Sequence, residues 1–111
     1  MKKNSPPRID AVAIADDKFG KAKRAEESAK RKMKEVKKAM DCVIALAEKH
    51  PIPETLASFK LAIQDYVDSV DNYVVSVRKR TDTGIALSNE NKRYHEADAR
   101  YRVSQARKKA R

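Results

Sequence analysis

The side chains that could act as a nucleophile, a general base or a metal ligand are few, since the chain has one cysteine and two histidines. Cys42, His50 and His95 lie far apart in the sequence, and no hairpin of the chain brings a nucleophile, a base and an orienting acid together. His95 and Asp98 are one helical turn apart, but two ligands without a second pair do not make a metal site. We therefore expect no catalytic residue, metal, cofactor or small-molecule substrate, and hence not an enzyme.

Cationic side chains offer a second kind of chemistry, because 26 lysines and arginines against 16 acidic residues give a net charge of +10. The densest group could follow the phosphates of a nucleic acid with salt-sensitive, sequence-independent affinity. It consists of Lys30, Arg31, Lys32, Lys34, Lys37 and Lys38. The segment around it has one aromatic residue, Phe19, so no platform for base stacking accompanies the charge. A cluster of lysines on a helix is more commonly a solvent-exposed face than a binding site. A nucleic-acid-binding protein of a phage or mobile element is therefore the alternative function and not the leading one.

A tyrosine and an acid four residues apart form a candidate recognition motif. In a helix this spacing places Tyr94 and Asp98 on one face, so that a receptor could read the ring and the carboxylate together. The same spacing also suits an ordinary contact between neighbours within one helix.

The elements that position these residues are helices. The chain has 111 residues, enough for one domain, and its many Ala, Lys, Arg and Glu residues without Trp are typical of long helices. Pro6 and Pro7 cannot extend a helix backwards, so we expect residues 1–8 to form an extended tail. From Ile9, apolar or small residues recur at the alternating spacing of a heptad seam, which predicts a helix of about 40 residues. The seam positions, interrupted only by Glu26, are Val12, Ala15, Phe19, Ala22, Ala29, Met33, Val36, Met40, Val43 and Ala47.

A turn at residues 50–53 separates this helix from a second, longer one. Pro51 excludes helical geometry at His50, and Pro53 suits the first position of a new helix. The seam then resumes at Leu56, Phe59, Ile63, Tyr66, Val70, Tyr73, Val77, Gly84, Leu87, Asn91, Tyr94, Asp98 and Tyr101. We therefore predict an all-α, coiled-coil-like antiparallel two-helix hairpin over residues 9–104, followed by a basic C-terminal tail at residues 105–111.

The hairpin register has two further consequences. Facing residues have numbers that sum to about 103, so Phe19 meets Gly84, a large side chain opposite a small one. The beginning of helix 1 then lies opposite Asn91. We expect Tyr94 and Asp98 to project beyond helix 1, covered only by the N-terminal tail.

Poor helix formers at residues 81–84 could interrupt the second helix, because glycine and threonine both lower helix stability. The heptad phase is unbroken from Val77 to Leu87, so we favour a kink inside one helix. A separate third helix over residues 85–108 is the alternative.

Several apolar residues flank the seam and would stay wet in a lone hairpin. They are Ile44, Leu46, Leu61, Val67, Val74 and Val75. A helix with apolar residues beyond one seam usually has a second neighbour, and a hairpin of this size has little core of its own. We therefore expect a protein partner, in a homodimer or a heterodimer, that completes a four-helix bundle. The alternative is that these are scattered surface residues that need no partner.

No stretch of the sequence approaches the roughly 20 apolar residues of a membrane span, and the N-terminus lacks the apolar core of a signal peptide. One cysteine cannot form an internal disulfide, so nothing marks an oxidising compartment. We expect a protein that is made in the cytoplasm.

The chain resembles the small helical hairpins of type VII secretion, the early-secreted-antigen-like or Trp-x-Gly superfamily. The resemblance is carried by the hairpin outline and by the sequence Tyr94-His95-Glu96-Ala97-Asp98, and the composition of residues 91–99 is also similar to that of the family's C-terminal segments. The resemblance implies pairing as a four-helix bundle and identifies Tyr94 and Asp98 as a Tyr-x-x-x-Asp export signal. His50-Pro51-Ile52-Pro53 stands where the family has Trp-x-Gly, which implies a branch that lacks this element and pairs with a different subunit. The implied function is a secretion substrate, partner or targeting chaperone, exported without a cleavable signal peptide.

Overall fold

The computed structural model describes residues 5–110, which form two α-helices joined by a short turn. Helix α1 spans Asp10–Lys49 and helix α2 spans Pro53–Ala110. The predicted all-α hairpin is confirmed, and α1 has 40 residues, the length that the heptad spacing predicts. Because α2 runs without a break through Gly84, the alternative with a separate third helix is wrong.

The two ends of the chain differ in structure. Residues 5–8 form neither helix nor strand, while residues 1–4 of the predicted tail and Arg111 lie outside the described residues. At the other end, α2 includes residues 105–110, so the basic segment that we assigned to a tail is helical as far as Ala110. The cations in this last turn complement the negative end of the helix dipole.

The turn is held by a cap built around Thr55. The Thr55 hydroxyl accepts a hydrogen bond from the Ile52 backbone N–H at 3.1 Å. The carbonyls of His50 and Ile52 both lie within reach as acceptors for the hydroxyl proton of Thr55. The Ile52 N–H also donates to the His50 carbonyl at 2.8 Å, so Thr55 adds to backbone hydrogen bonds that already close the turn. Pro53 occupies the first helical position, where its missing N–H costs nothing.

Packing between the helices divides into two compact units, which we describe separately. The turn unit contains residues 22–80, and the terminal unit contains residues 5–21 together with residues 81–110. In each unit the least exposed residues fall on heptad positions of both helices.

On α1 the predicted seam is confirmed at every position. Ala15, Ala22 and Ala47 are 8%, 2% and 8% exposed, and the remaining predicted positions are half-buried. Alanine at these sites allows close approach of the second helix, because no long side chain separates the two backbones.

On α2 the seam lies partly one residue earlier than predicted. Ser69 is buried, whereas the neighbouring Val70 is only half-buried. The predictions for Leu56, Ile63 and Asn91 are wrong, since all three are exposed. The half-buried or buried residues at this spacing are Thr55, Ala62, Ser69, Ser76, Thr83, Glu90 and Ala97. Most of these are small, which suits the close packing against the alanines of α1 better than the larger residues beside them.

The serines of this seam carry their own hydrogen bonds. The Ser69 hydroxyl donates to the Tyr66 carbonyl at 2.7 Å, and the Ser76 hydroxyl donates to the Tyr73 carbonyl at 2.7 Å. A buried hydroxyl that is hydrogen-bonded within its own helix avoids the cost of an unsatisfied polar group. Small polar residues can therefore occupy the seam without a partner on α1.

In the terminal unit, Phe19 packs against Gly84 as the register predicts. A Cβ atom added to Gly84 would lie 3.1 Å from Phe19 Cε1 and 3.6 Å from Cδ1. The absence of a side chain at Gly84 is thus what admits the ring. No residue between positions 5 and 110, glycine or other, has a positive φ. Gly84 is therefore needed because it leaves room for the Phe19 ring, and not because of its backbone conformation.

In the turn unit, Glu26 departs from the apolar seam and finds a partner across it. Glu26 forms an ion pair with Arg80 of α2, and their side chains are 17% and 38% exposed. The exception in the α1 pattern is therefore paired with a cation at the matching level of α2. A single polar pair in an apolar seam favours one register over its neighbours, because a slip would leave a half-buried charge alone.

We expect the substitution Gly84→Leu to lower the free energy of unfolding by about 1–3 kcal/mol, because the new side chain overpacks against Phe19. Adding Phe19→Ala should restore part of the loss, which urea denaturation at one protein concentration can measure. Ser88→Leu, at an exposed α2 position, is the control and should change stability by less than about 0.5 kcal/mol. Equal stability of Gly84→Leu and the control would contradict the contact.

For the ion pair, we expect Glu26→Leu or Arg80→Leu alone to lower the free energy of unfolding by about 1–2 kcal/mol, since each leaves a half-buried charge unpaired. The double leucine variant should return to within about 1 kcal/mol of the original chain. Lys21→Leu is the control, because its pair with Asp17 is 70% and 61% exposed and contributes little. Additive losses in the double variant would show that the two side chains do not interact.

Candidate interaction site

The apolar residues left outside the seam of the turn unit form a stripe along α2. Its members are Leu56, Ile63, Val67, Val70, Val74 and Val77, which we call the α2 stripe. From Ile63 onward they are spaced alternately by four and three residues, so they lie on one face of the helix. Ile63, Val67 and Val74 are 38%, 44% and 41% exposed, and Val70 and Val77 are half-buried. The stripe is therefore only partly covered by α1.

The opposite side of the seam is marked by a groove in the same unit. Ala39 and Val43 of α1 line this groove together with Ser58, Leu61 and Asp65 of α2. Residues seven apart lie on one strip of a helix, so Leu46 shares the groove side with Ala39. The α2 stripe begins beyond the seam on the other side.

The structure thus divides the six residues that we predicted as one partner interface. Val67 and Val74 belong to the α2 stripe, and Leu61 lines the groove. Leu46 and Val75 are 50% and 62% exposed, and Val75 is rotated by about 100° from Val74 around the helix axis. Ile44, which we expected to be wet, is half-buried.

Four stripe residues were missed as interface residues by the sequence analysis. They were assigned to the seam because they are large and apolar, but Leu56 and Ile63 are 46% and 38% exposed, and Val70 and Val77 are only half-buried. The available signal was the recurrence of small residues every seven positions on α2, at Ala62, Ser69 and Ser76.

On the side of the α2 stripe, α1 contributes mainly cations. Lys30, Lys37 and Ile44 are spaced by seven residues and occupy the α1 strip opposite the groove side. A molecule that covers the stripe would therefore meet ammonium groups along one edge.

Tyr94 lies in the terminal unit beside the beginning of α1. Its side chain is half-buried and lines a groove together with Pro7, Arg8 and Val12. Our expectation that only the N-terminal tail could cover Tyr94 is thus too narrow, because α1 residues share this groove. The Tyr94 ring also contacts the His95 ring edge to face, with centroids 5.7 Å apart.

Asp98 is half-buried and already has a partner within α2. Its carboxylate oxygen Oδ2 lies 3.0 Å from Nε of Arg102 and forms an ion pair with it. The Asp98 side chain is 28% exposed, and the Arg102 side chain is 79% exposed. The spacing of Tyr94 and Asp98 puts them on one helical face, as predicted, but each has local contacts.

The predicted cationic residues are all exposed. Within residues 5–110, none of the six from Lys30 to Lys38 forms an ion pair, although Glu35 lies among them and Glu27 precedes them by one turn. The cations are therefore not neutralised by neighbouring carboxylates.

The side chains that could carry catalysis or bind a metal do not converge. Cys42 and His50 are exposed, and the His95 ring contacts Tyr94 edge to face. Residues 5–110 contain no group of three or more histidine, cysteine or acidic side chains that could hold a metal ion. Across the same residues, neither helix has an apolar stretch long enough to cross a membrane.

The geometry thus offers one partly covered apolar stripe, one unpaired cationic surface and one aromatic and acidic pair near the C-terminus. Comparison with protein-family models, with curated proteins and with solved structures finds no match to this chain.

Proposed function

We propose that this chain is a protein–protein interaction module, a helical hairpin that pairs with a second hairpin and serves as a type VII secretion substrate, partner or targeting chaperone. The observation that carries the proposal is the α2 stripe, a periodic apolar surface that α1 covers only in part. The proposed role is association and not catalysis.

The shape of the stripe favours a helical partner. A surface with the spacing of one helical face is complementary to the ridges of another helix, and two hairpins joined this way form a four-helix bundle. Full burial of an exposed Val or Ile side chain contributes roughly 1.5–3 kcal/mol, and because the stripe residues are already more than half covered, each can add only part of this value to a complex. The partner is either a second copy of the chain or a different hairpin.

The secretion part of the proposal rests on the resemblance in outline and on Tyr94 and Asp98. Asp98 supplies a carboxylate and Tyr94 an aromatic edge on the same face of α2. The ion pair with Arg102 orients the Asp98 carboxylate. Because the Arg102 side chain is 79% exposed, a receptor can displace it from Asp98.

We expect Val74→Asp to abolish association, because it places a charge in the middle of the α2 stripe, where burial would desolvate it. Val75→Asp is the matched control, since it makes the same change at the next residue, outside the stripe and 62% exposed. Light scattering coupled to gel filtration should show a dimer for the original chain and for Val75→Asp, and a monomer or an aggregate for Val74→Asp.

If the partner is a different protein, the original chain alone should be poorly stable or aggregate, and coexpression with the partner should rescue it. A well-behaved monomer with a sharp melting transition that is independent of concentration would contradict the association. Equal effects of Val74→Asp and Val75→Asp would show that the α2 stripe is not the interface.

We expect Asp98→Asn to reduce export of the chain or of its partner in a host with an intact type VII secretion system, because the amide keeps the shape and removes the charge. Arg102→Gln also breaks the ion pair but keeps the carboxylate, so export should persist in this control. Tyr94→Phe tests the ring and the hydroxyl separately. Melting temperatures measured on the same variants distinguish lost recognition from lost packing.

Unchanged export of both the Asp98→Asn and Tyr94→Ala variants would rule out the targeting role. If Tyr94→Ala instead lowers the melting temperature by a large amount, its contact with the start of α1 accounts for the residue, and the pair belongs to the packing of the terminal unit.

A further inference from the structure

The cations of α1 are not distributed evenly around the helix. At 100° per residue, eight of the eleven lysines and arginines of α1 fall within an arc of about 140°. Six of these eight lie between positions 24 and 38 and are Arg24, Lys30, Arg31, Lys34, Lys37 and Lys38, which we call the α1 ridge; Lys23 and Lys49 flank them. Lys32, which belongs to the same sequence cluster, lies outside this arc on the groove side. The cations of this segment therefore concentrate on one face of α1 and do not surround the helix.

The ridge cations are exposed, and Glu27 is the acidic residue that shares their arc between positions 23 and 38. Within residues 5–110, none of the six cations pairs with a carboxylate. Glu27 has the spacing to pair with Arg31, yet no ion pair forms between them. Like charges at Lys30, Lys34 and Lys38 are four residues apart and repel each other. A polyanion lying along the ridge would remove this repulsion.

The dimensions of the ridge fit a nucleic-acid backbone. Arg24 and Lys38 are separated by 14 residues, which corresponds to about 21 Å along the helix. Duplex DNA presents one phosphate charge per roughly 1.7 Å of its axis, so a duplex segment of the same length carries about 12 phosphate charges. No aromatic side chain lies on the arc, so contacts with bases are not favoured and the backbone is the ligand.

The absence of apolar side chains on the same arc distinguishes the ridge from a membrane-binding helix. Amphipathic helices at membrane surfaces insert an apolar face between the headgroups, and here the arc between residues 23 and 38 holds only charged residues. We infer that the α1 ridge is a nucleic-acid-binding surface that contacts the phosphodiester backbone without sequence preference. Lys30 and Lys37 also border the α2 stripe, but this inference does not rest on the proposed secretion role.

The test compares two variants that lose the same number of lysines. The ridge variant carries Lys30→Gln, Lys34→Gln, Lys37→Gln and Lys38→Gln. The control variant carries Lys18→Gln, Lys32→Gln, Lys60→Gln and Lys92→Gln, which lie off the ridge. Lysine and glutamine have similar helix propensities, so circular dichroism should show equal helicity in both.

Binding is measured by fluorescence anisotropy with a labelled duplex of about 20 base pairs, in two unrelated sequences, from about 0.05 to 0.3 M salt. The original chain should bind both duplexes equally, with a micromolar or tighter Kd at about 0.15 M salt. The ridge variant should bind at least about 30-fold more weakly and should lower the slope of log K against log salt by about 3–4. The control variant should bind within about threefold of the original chain.

Equal weakening in the two variants would mean that net charge alone drives binding, and it would overturn the inference. So would a loss of all binding at about 0.15 M salt, or a strong preference for one duplex sequence. Vesicles of phosphatidylcholine and phosphatidylserine form a separate arm, and tighter binding to them than to DNA would assign the ridge to a membrane surface instead. Light scattering should show the same oligomeric state for the ridge variant as for the original chain, which separates this result from the outcome for the α2 stripe.

Discussion

Close approach of the two helices is the constraint on which the rest of the structure depends. Ala15, Ala22, Ala47 and Ser69 are the buried residues of the described chain, and none has a side chain longer than two heavy atoms. Such small side chains let the backbones come near each other, but they bury little apolar surface. Larger apolar side chains are consequently displaced to the margins of the contact. The apolar surface that remains exposed on α2 is thus a result of how the seam is built.

The spacing of apolar residues predicted the helices because it shows which side of each helix must be buried against the other helix. It located α1, while Pro51 and Pro53 located the turn from which the register follows, and the packing of Phe19 against Gly84 agrees with that register. It failed for part of α2, where a large residue and a small residue stand side by side, as at Ile63 and Ala62. A hydrophobicity rule selects the larger one, whereas close packing selects the smaller one.

Other features required coordinates because they depend on residues far apart in the chain. Glu26 is an exception in a local pattern and becomes intelligible only beside Arg80. The division of the predicted interface into a stripe side and a groove side also needs the position of the seam, which the sequence located only approximately. For Tyr94 and Asp98, spacing predicted the shared face, but the groove beside α1 and the Arg102 ion pair could not be read from spacing. The cationic arc follows from helical geometry alone, whereas its lack of carboxylate partners does not.

The Thr55 cap also determines the order in which contacts can form during synthesis. Contacts beside the turn close short loops, whereas the contact of Phe19 with Gly84 spans 65 residues, that is 84 minus 19. The entropy lost on closing a loop grows with its length, so pairing is easiest near the cap and proceeds towards the termini. At the ribosome, about 5–20 residues are added per second, and Phe19 therefore waits roughly 3–13 s for its partner. During that interval the part of the α1 seam around Phe19 stays unpaired, while α1 residues nearer the turn can already pair with α2.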